Sequence, residues 1–320
     1  MGIVDTLSTG FDRVTKRLWF LLVPVLLDIG IWMGPKLSLN GLSKEAIAAL
    51  PNAAELGSQY AQTIEVMRSS LMDVGTSTNV LTLLSMRILG LPSLTGSFAP
   101  KAGLGAAQRV IEIPTWLALV GLIALLTVCS LLVGCFCLSF IAQEARDEEM
   151  AIAYALQVAW RSWVRLTVLL LVAVLAVAIV VGGIGVMGGL LAVLSPELAW
   201  LTLNVFTFGF LSLAAYGAIV LFFTSRAIVM DDMGILHSVW SGLNVLHRNF
   251  LPAIGFILIV NVLQTGLLYI WRMLAVSVFG TLVGILGNAY VSTGLVMASL
   301  IFYRDRFVAW QETRSGEGQP

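Results

Sequence analysis

Three segments of this chain match one another without gaps, and each runs straight into a long apolar stretch. They begin at Met1, Met150 and Met233 and read MGIVDTLSTGFDRVTKR, MAIAYALQVAWRSWVRL and MGILHSVWSGLNVLHRN. Ile3, Ile152 and Ile235 coincide, as do Leu7, Leu156 and Val239, the small residues Gly10, Ala159 and Gly242, and the basic residues Lys16, Arg165 and Arg248. A repeat constrains a fold more than any single motif, because each copy has to form the same structural unit. Here the unit reads as an amphipathic helix followed by a membrane hairpin. The second and third copies are 83 residues apart and the first two 149. The first hairpin therefore carries an insertion.

Hydrophobic residues make up 58% of the 320 residues and charged residues 11%, against roughly 25% charged in soluble domains. A bilayer core takes about 20 apolar residues as helix. Stretches at 18–34, 116–142, 166–191, 199–225, 251–271 and 280–303 qualify. The expected fold is an all-α polytopic membrane protein of six transmembrane helices, built from three amphipathic-helix-plus-hairpin repeats. Residues 1–34 hold the first helix and span, 35–115 an extracytoplasmic helical insertion and 116–142 the second span. Residues 143–225 and 226–303 are the second and third repeats, and 304–320 is a partly disordered cytoplasmic tail.

Eleven basic residues fall on one side of these spans: Arg13, Lys16, Arg17, Arg146, Arg161, Arg165, Arg226, Arg248, Arg304, Arg306 and Arg314. The two short connections opposite offer only Arg272. Positive-inside bias places both termini in the cytoplasm of a cell-membrane protein. The nine tryptophans sit near span ends or on the amphipathic segments, where indole rings prefer the headgroup region. Cys129, Cys135 and Cys137 share one apolar run and have no metal or disulfide spacing. Zero net charge gives no case for nucleic-acid binding. No cofactor motif and no catalytic constellation is present, and His237 and His247, ten residues apart on a helix, are about 15 Å apart by its rise. The expectation is a protein that is not an enzyme.

Asp28 is the one acid well inside a span, and an intramembrane ionisable group is a functional hypothesis by default. Arg272 is a candidate partner. Asn261 and Gln264 fall at similar depth in the register of the repeat, so Asp28, Asn261, Gln264 and Arg272 form a candidate intramembrane polar site. The alternative is a structural polar cluster. Lys16, Arg165 and Arg248, at corresponding span entrances, are candidate contacts for lipid phosphates or simple positive-inside anchors. Glu148 with Glu149 and Asp231 with Asp232 precede the second and third helices, where carboxylates can cap free N–H groups. Gly185/Gly189 and Gly280/Gly284 have the GxxxG spacing that permits close helix approach.

The insertion is the one sizeable polar region. Residues 52–74 have helical spacing through Gly57, Tyr60, Ile64, Met67, Leu71 and Val74. The run 79–91 is apolar but too short to span, and LPSLTGSFAPKAGLG, from Leu91, reads as irregular. A helical cap is expected there, serving as a lid or as a docking element for a protein partner.

The run SRAIVMDDMGILHSVWSGLNVLHRNFLPAIGFILI, with Asp231, Asp232, Ser241, Arg248, Asn249 and Phe250, resembles the recurring segment of the membrane domain associated with glycerophosphoryl diester phosphodiesterases and related six-span proteins. It covers mainly 220–260. The resemblance implies a membrane fold and lends no catalytic residue, because the soluble phosphodiesterase domain has no counterpart here. The resulting expectation is a membrane-organising, scaffold or partner-subunit role among membrane lipids. The alternative is a transporter or channel-like protein for a small or lipidic solute using the Asp28 region.

Overall fold

The computed structural model describes residues 2–51, 58–85, 89–98, 109–147 and 151–316. Eleven α-helices lie among them: α1 Ile3–Lys16, α2 Leu22–Met33, α3 Asn40–Ala48, α4 Ser58–Ser77, α5 Leu94–Ser97, α6 Trp116–Ala145, α7 Ile152–Leu194, α8 Pro196–Asp231, α9 Ile235–Arg248, α10 Phe250–Leu274 and α11 Val278–Gly316. Five of them, α6, α7, α8, α10 and α11, are long and apolar enough to cross a membrane. The sixth expected span, Leu18–Met33, is apolar but shorter. It opens with a 3-10 turn, Leu18–Leu21, before α2. The fold is all-α, and its long apolar helices are compatible with a multi-pass membrane protein.

Helices α1, α7 and α9 begin at Ile3, Ile152 and Ile235, the three residues that coincide in sequence. They do not end alike. Helices α1 and α9 stop at Lys16 and Arg248, whereas α7 runs through Arg165 to Leu194. Proline explains the difference. Pro24 and Pro252 stand third in α2 and α10. A helix continued through either would lose a backbone bond and press the ring on the carbonyl four residues back. The position matching Pro252 in the second repeat is Leu169, so α7 continues unbroken.

The contacts divide the chain into two compact units. One comprises residues 1–13, 135–260 and 295–320, the other 14–134 and 261–294. In the first, Phe256 stacks on Phe302 with ring centres 4.7 Å apart, and Phe223 lies 6.2 Å from Phe302. Gly10 of α1 presses on α11: a Cβ there would lie 2.8 Å from the Ala298 backbone nitrogen. Gly242 of α9 presses on α8 in the same way, 3.0 Å from the Thr224 nitrogen. The tail expected to be partly disordered is helical to Gly316. Tyr303 stacks on Phe307, which meets Trp310, a ladder at helical spacing.

The second unit holds the insertion. Its apolar cluster joins Leu42, Val80 and Ile113 to Leu119 and Leu126 of α6. Residues 58–77 are helical, but Met67 and Val74 are exposed while Ile64 and Leu71 are half-buried and Gly75 is buried against Ser43. The stripe is therefore rotated from the expected one; residues 52–57 lie outside the described residues. Within 79–91, of which 86–88 lie outside the described residues, Val80–Leu84 form a 3-10 turn whose cap Asn79 accepts from the Leu81 N–H. Residues 91–98 are not wholly irregular, since they include α5. Two short strands, β1 Lys36–Ser38 and β2 Val110–Glu112, pair in parallel, an element outside the all-α expectation.

Glycine packing follows the sequence pattern at one pair and not at the other. Gly182, Gly183, Gly185 and Gly189 meet nothing within 4 Å, while Gly188 meets Leu203. Of the two GxxxG pairs, close approach occurs in the second, where Gly284 lies against Leu94 and Trp271. Gly10→Ala should lower the melting temperature of the detergent-solubilised protein clearly, because overpacking against backbone costs about 1–3 kcal/mol. Gly121→Ala, where nothing lies within 4 Å, should be neutral or slightly stabilising. Equal melting curves for the two variants would refute the tight α1–α11 contact.

Candidate functional site

The polar residues picked from the spans converge on backbone. Asp28, on α2, is 1% exposed. Its carboxylate accepts from the Ser93 hydroxyl, from the Leu94 N–H at 3.1 Å, and from the Thr95 N–H at 2.9 Å and hydroxyl at 2.8 Å. Every one of these partners is a donor, the pattern that suits an acceptor-only carboxylate. Helix α5 has four residues, too few to satisfy its own first N–H groups. Ser93 caps it from within, accepting from the Gly96 N–H, and Asp28 caps it from another helix.

Two more side chains hold the same segment. Gln264 of α10 donates to the Gly90 carbonyl at 3.3 Å, and Asn288 of α11 donates to the Pro92 carbonyl at 2.9 Å. Gly90 takes φ 87°, a left-handed turn that glycine adopts without strain. Leu89, Leu91 and Leu94 are buried on either side of it. Segment 89–97 is thus fixed through its backbone by three helices and through its leucines by packing. From Asp28 to the end of α2 at Met33 is five residues, and ten residues separate Gln264 from Leu274 and Asn288 from Val278. By helix rise the three pins lie about 8, 15 and 15 Å inside those helix ends.

Arg272 does not complete the Asp28 site. It is exposed on α10, and the acid's oxygens are taken by residues 93–95. Asn261 is also exposed and is not among the groups on the Asp28 carboxylate. Of the four residues expected together, Asp28 and Gln264 meet on one segment, with Asn288 as the third pin. Ser93 and Thr95 escape the sequence reading, and their turn-type composition was the available signal.

Lys16 and Arg248 are exposed, while Arg165 is half-buried and engaged. Arg165 and Arg161 of α7 bind the two Asp232 carboxylate oxygens at 2.5 and 2.9 Å. Asp232 is left-handed at φ 47° and closes α8, so it does not cap α9, whose preceding residue is Gly234. Asp231 ends α8 and accepts from the Tyr303 hydroxyl at 3.0 Å, which also meets the Ser241 hydroxyl at 2.9 Å. Glu148 and Glu149 lie outside the described residues. Their neighbour Asp147, left-handed at φ 60°, binds Arg13 at 2.7 Å and Arg304 at 3.1 Å. The same two arginines donate to the Glu144 and Ala145 carbonyls at the end of α6. Cations placed there answer the negative helix terminus.

Chemically, the Asp28 site is an acceptor set wholly used by protein donors. Among the described residues no group of three His, Cys, Asp or Glu side chains is placed to hold a metal ion. No family model, no curated protein and no solved structure matches the chain.

Asp28→Ala should free segment 89–97, raising amide exchange and proteolysis there ahead of the rest of the chain. Each N–H left unpaired costs about 1–3 kcal/mol. Unchanged exchange at Leu94 and Thr95 would remove the pinning role. The Asp147 clamp gives a separate expectation. Burial alone would raise its carboxyl, but hydrogen bonds and charges from Arg13 and Arg304 outweigh that and hold it below the usual carboxylate range. A depressed folded pKa stabilises fully above about pH 4 and is lost as pH falls through the folded value. Asp147 is 63% exposed, so the pairs are worth about 0–1 kcal/mol. The stability gap between wild type and Asp147→Asn should be small, flat from about pH 5 to 8, narrower in high salt and closed in acid. A gap that grew in acid would contradict the clamp.

Proposed function

We propose that this protein is a non-catalytic, multi-pass component of the cell membrane with both termini cytoplasmic, acting as a scaffold, membrane-organising protein or partner subunit. The observation that carries this reading is the use to which Asp28, Gln264 and Asn288 are put. Groups that would serve a substrate instead hold part of the insertion. The resemblance of residues 220–260 to the phosphodiesterase-associated membrane domain supports a membrane role and no catalytic one.

The architecture proposed with it is three like-oriented repeats in cyclic order. Two patterns support it. At the aligned small position, Gly10 presses on the last long helix of the third repeat and Gly242 on that of the second. Arginines of one repeat's first helix also tie down the acidic turn that opens the next: Arg13 on Asp147, and Arg161 with Arg165 on Asp232. In this reading exposed Lys16 and Arg248 are free to meet lipid phosphates.

The insertion is the proposed partner element. Outside the spans, α4 exposes Val66, Met67 and Val74 along one side. Val66→Ser with Met67→Ser should reduce the native-gel mass of the complex extracted from its own membrane without lowering the stability of the isolated chain. An unchanged mass would speak against a partner on α4. A second reading, passage of a small or lipidic solute through the Asp28 region, is favoured by one observation: the buried Ser292 hydroxyl on α11 takes no hydrogen bond from the protein.

A further inference from the structure

Asn261 and Arg272 lie away from the Asp28 carboxylate, on α10, and with Thr265 and Leu268 they mark one line along that helix. The steps are four, three and four residues, and at 100° per residue the four positions fall within about 60° of one another. Asn261, Thr265 and Arg272 are exposed and Leu268 is half-buried. Tyr269 flanks the line and is 63% exposed. Asn261 is 11 residues from Phe250 and 13 from Leu274. By helix rise it lies about 16 and 20 Å from the two ends of α10, at the middle of a span. Lipid accepts an exposed face such as that of α7, whose residues 168–194 are all aliphatic residues, methionine and glycine. An exposed amide at mid-span is a poor match for hydrocarbon, which offers it no hydrogen bond. Polar side chains at that depth are met by other helices.

We propose that α10 pairs with α10 of a second copy along the Asn261–Arg272 line, making the protein a homodimer in the membrane. The spacing is that of a heptad seam, which left-handed helix pairs use both in water and in bilayers. The second copy follows from the chemistry of the line. Two chains inserted alike are related by an axis along the membrane normal, and a helix beside that axis meets its own copy at equal depth. The Asn261 amide both donates and accepts, and so does the Thr265 hydroxyl, so each group is its own complement. The one charge on the line is Arg272, two residues from the end of α10, where its long side chain reaches water and the like charges of two copies stay apart. Gly266, beside Thr265, meets nothing within 4 Å, which leaves the backbone open to close approach. A single asparagine in such a seam also fixes register and the number of chains. The pairing rests on the membrane reading for α10 and goes beyond the scaffold reading, which stands without it.

The test uses the full chain in proteoliposomes, with donor- and acceptor-labelled copies mixed and then diluted with lipid. Wild type should keep energy transfer above random proximity on dilution. Asn261→Leu should need roughly tenfold more protein per lipid for the same transfer. Asn204→Leu, exposed on α8, should leave transfer unchanged. The face is read separately by oxidative cross-linking after Cys129, Cys135 and Cys137 are replaced by alanine. Thr265→Cys should give a dimer, and Leu263→Cys, about 160° away around the helix, should not. Wild-type transfer that falls to the random level overturns the dimer. Transfer that Asn261→Leu leaves unchanged overturns the amide as its centre. Cross-linking from Leu263→Cys as strong as from Thr265→Cys overturns the face. Capture of Thr265→Cys by a different protein alone, in native membranes, gives the line to another partner and overturns the pairing too. Alkaline extraction reports insertion: unpaired chains that stay in the bilayer leave the membrane reading standing, and chains that wash out overturn both. Should Asn261→Leu fail to reconstitute, Thr265→Val is read by the same dilution series, and the same outcomes decide.

Discussion

Leu94 and Thr95 present backbone N–H groups that a four-residue helix cannot satisfy, at a place where apolar side chains surround them. Short isolated helices are marginal even in water. This one exists because a carboxylate arrives from α2 and takes both N–H groups together with two hydroxyls. The rest of the second unit depends on that attachment. With it, Leu89, Leu91 and Leu94 are held in packing, and the carbonyls of Gly90 and Pro92 come within reach of Gln264 and Asn288. Without it, the backbone of 90–95 would have to find its partners elsewhere, and the leucines would lose their anchor.

The first unit solves a related problem with opposite charges. Helices α6 and α8 end in turns that leave carbonyls unpaired. At α6, Arg13 and Arg304 supply donors to Glu144 and Ala145 and also pair with Asp147. At α8, Arg146 donates to the Met230 carbonyl while Arg161 and Arg165 pair with Asp232. Both aspartates take left-handed backbone, which Asp tolerates better than most residues. Asp147 and Asp232 thus close the helices that precede them. This also explains why aligned basic residues are not equivalent in use. Arg165 has a carboxylate within reach, while Lys16 and Arg248 are exposed.

What the sequence made legible is what local physics decides. Apolar length marked five helices, and gapless matching marked the shared start of α1, α7 and α9, because periodicity and length are local properties. The break before α10 and the continuity of α7 were also written in the chain, as Pro252 against Leu169, although the repeat pattern alone concealed it. The insertion was less legible. Its helix α4 was found but with its buried side misplaced, since Gly75 and Ser43 set the contact and hydrophobicity does not reveal such a pair. The turn at 94–97 could not be read locally at all, because its capping acid lies 66 residues earlier. The two strands are three residues each, too short for alternation to register.

Asp28 was the right residue to single out, and the geometry changes its meaning. Continuing the gapless match into the spans, the positions of Asp28 in the other repeats are Val177 and Val260. The acid is therefore not shared by the three matching stretches of sequence, two of which carry valine there. Its partners are residues 93–95, in the long stretch between α2 and α6. Burying a carboxylate is costly unless it is fully hydrogen-bonded, and residues 93–95 meet that condition. The acid and the segment are thus mutually dependent. Neither is stable in apolar surroundings without the other, so any change that moves the segment must at the same time supply Asp28 with a new partner.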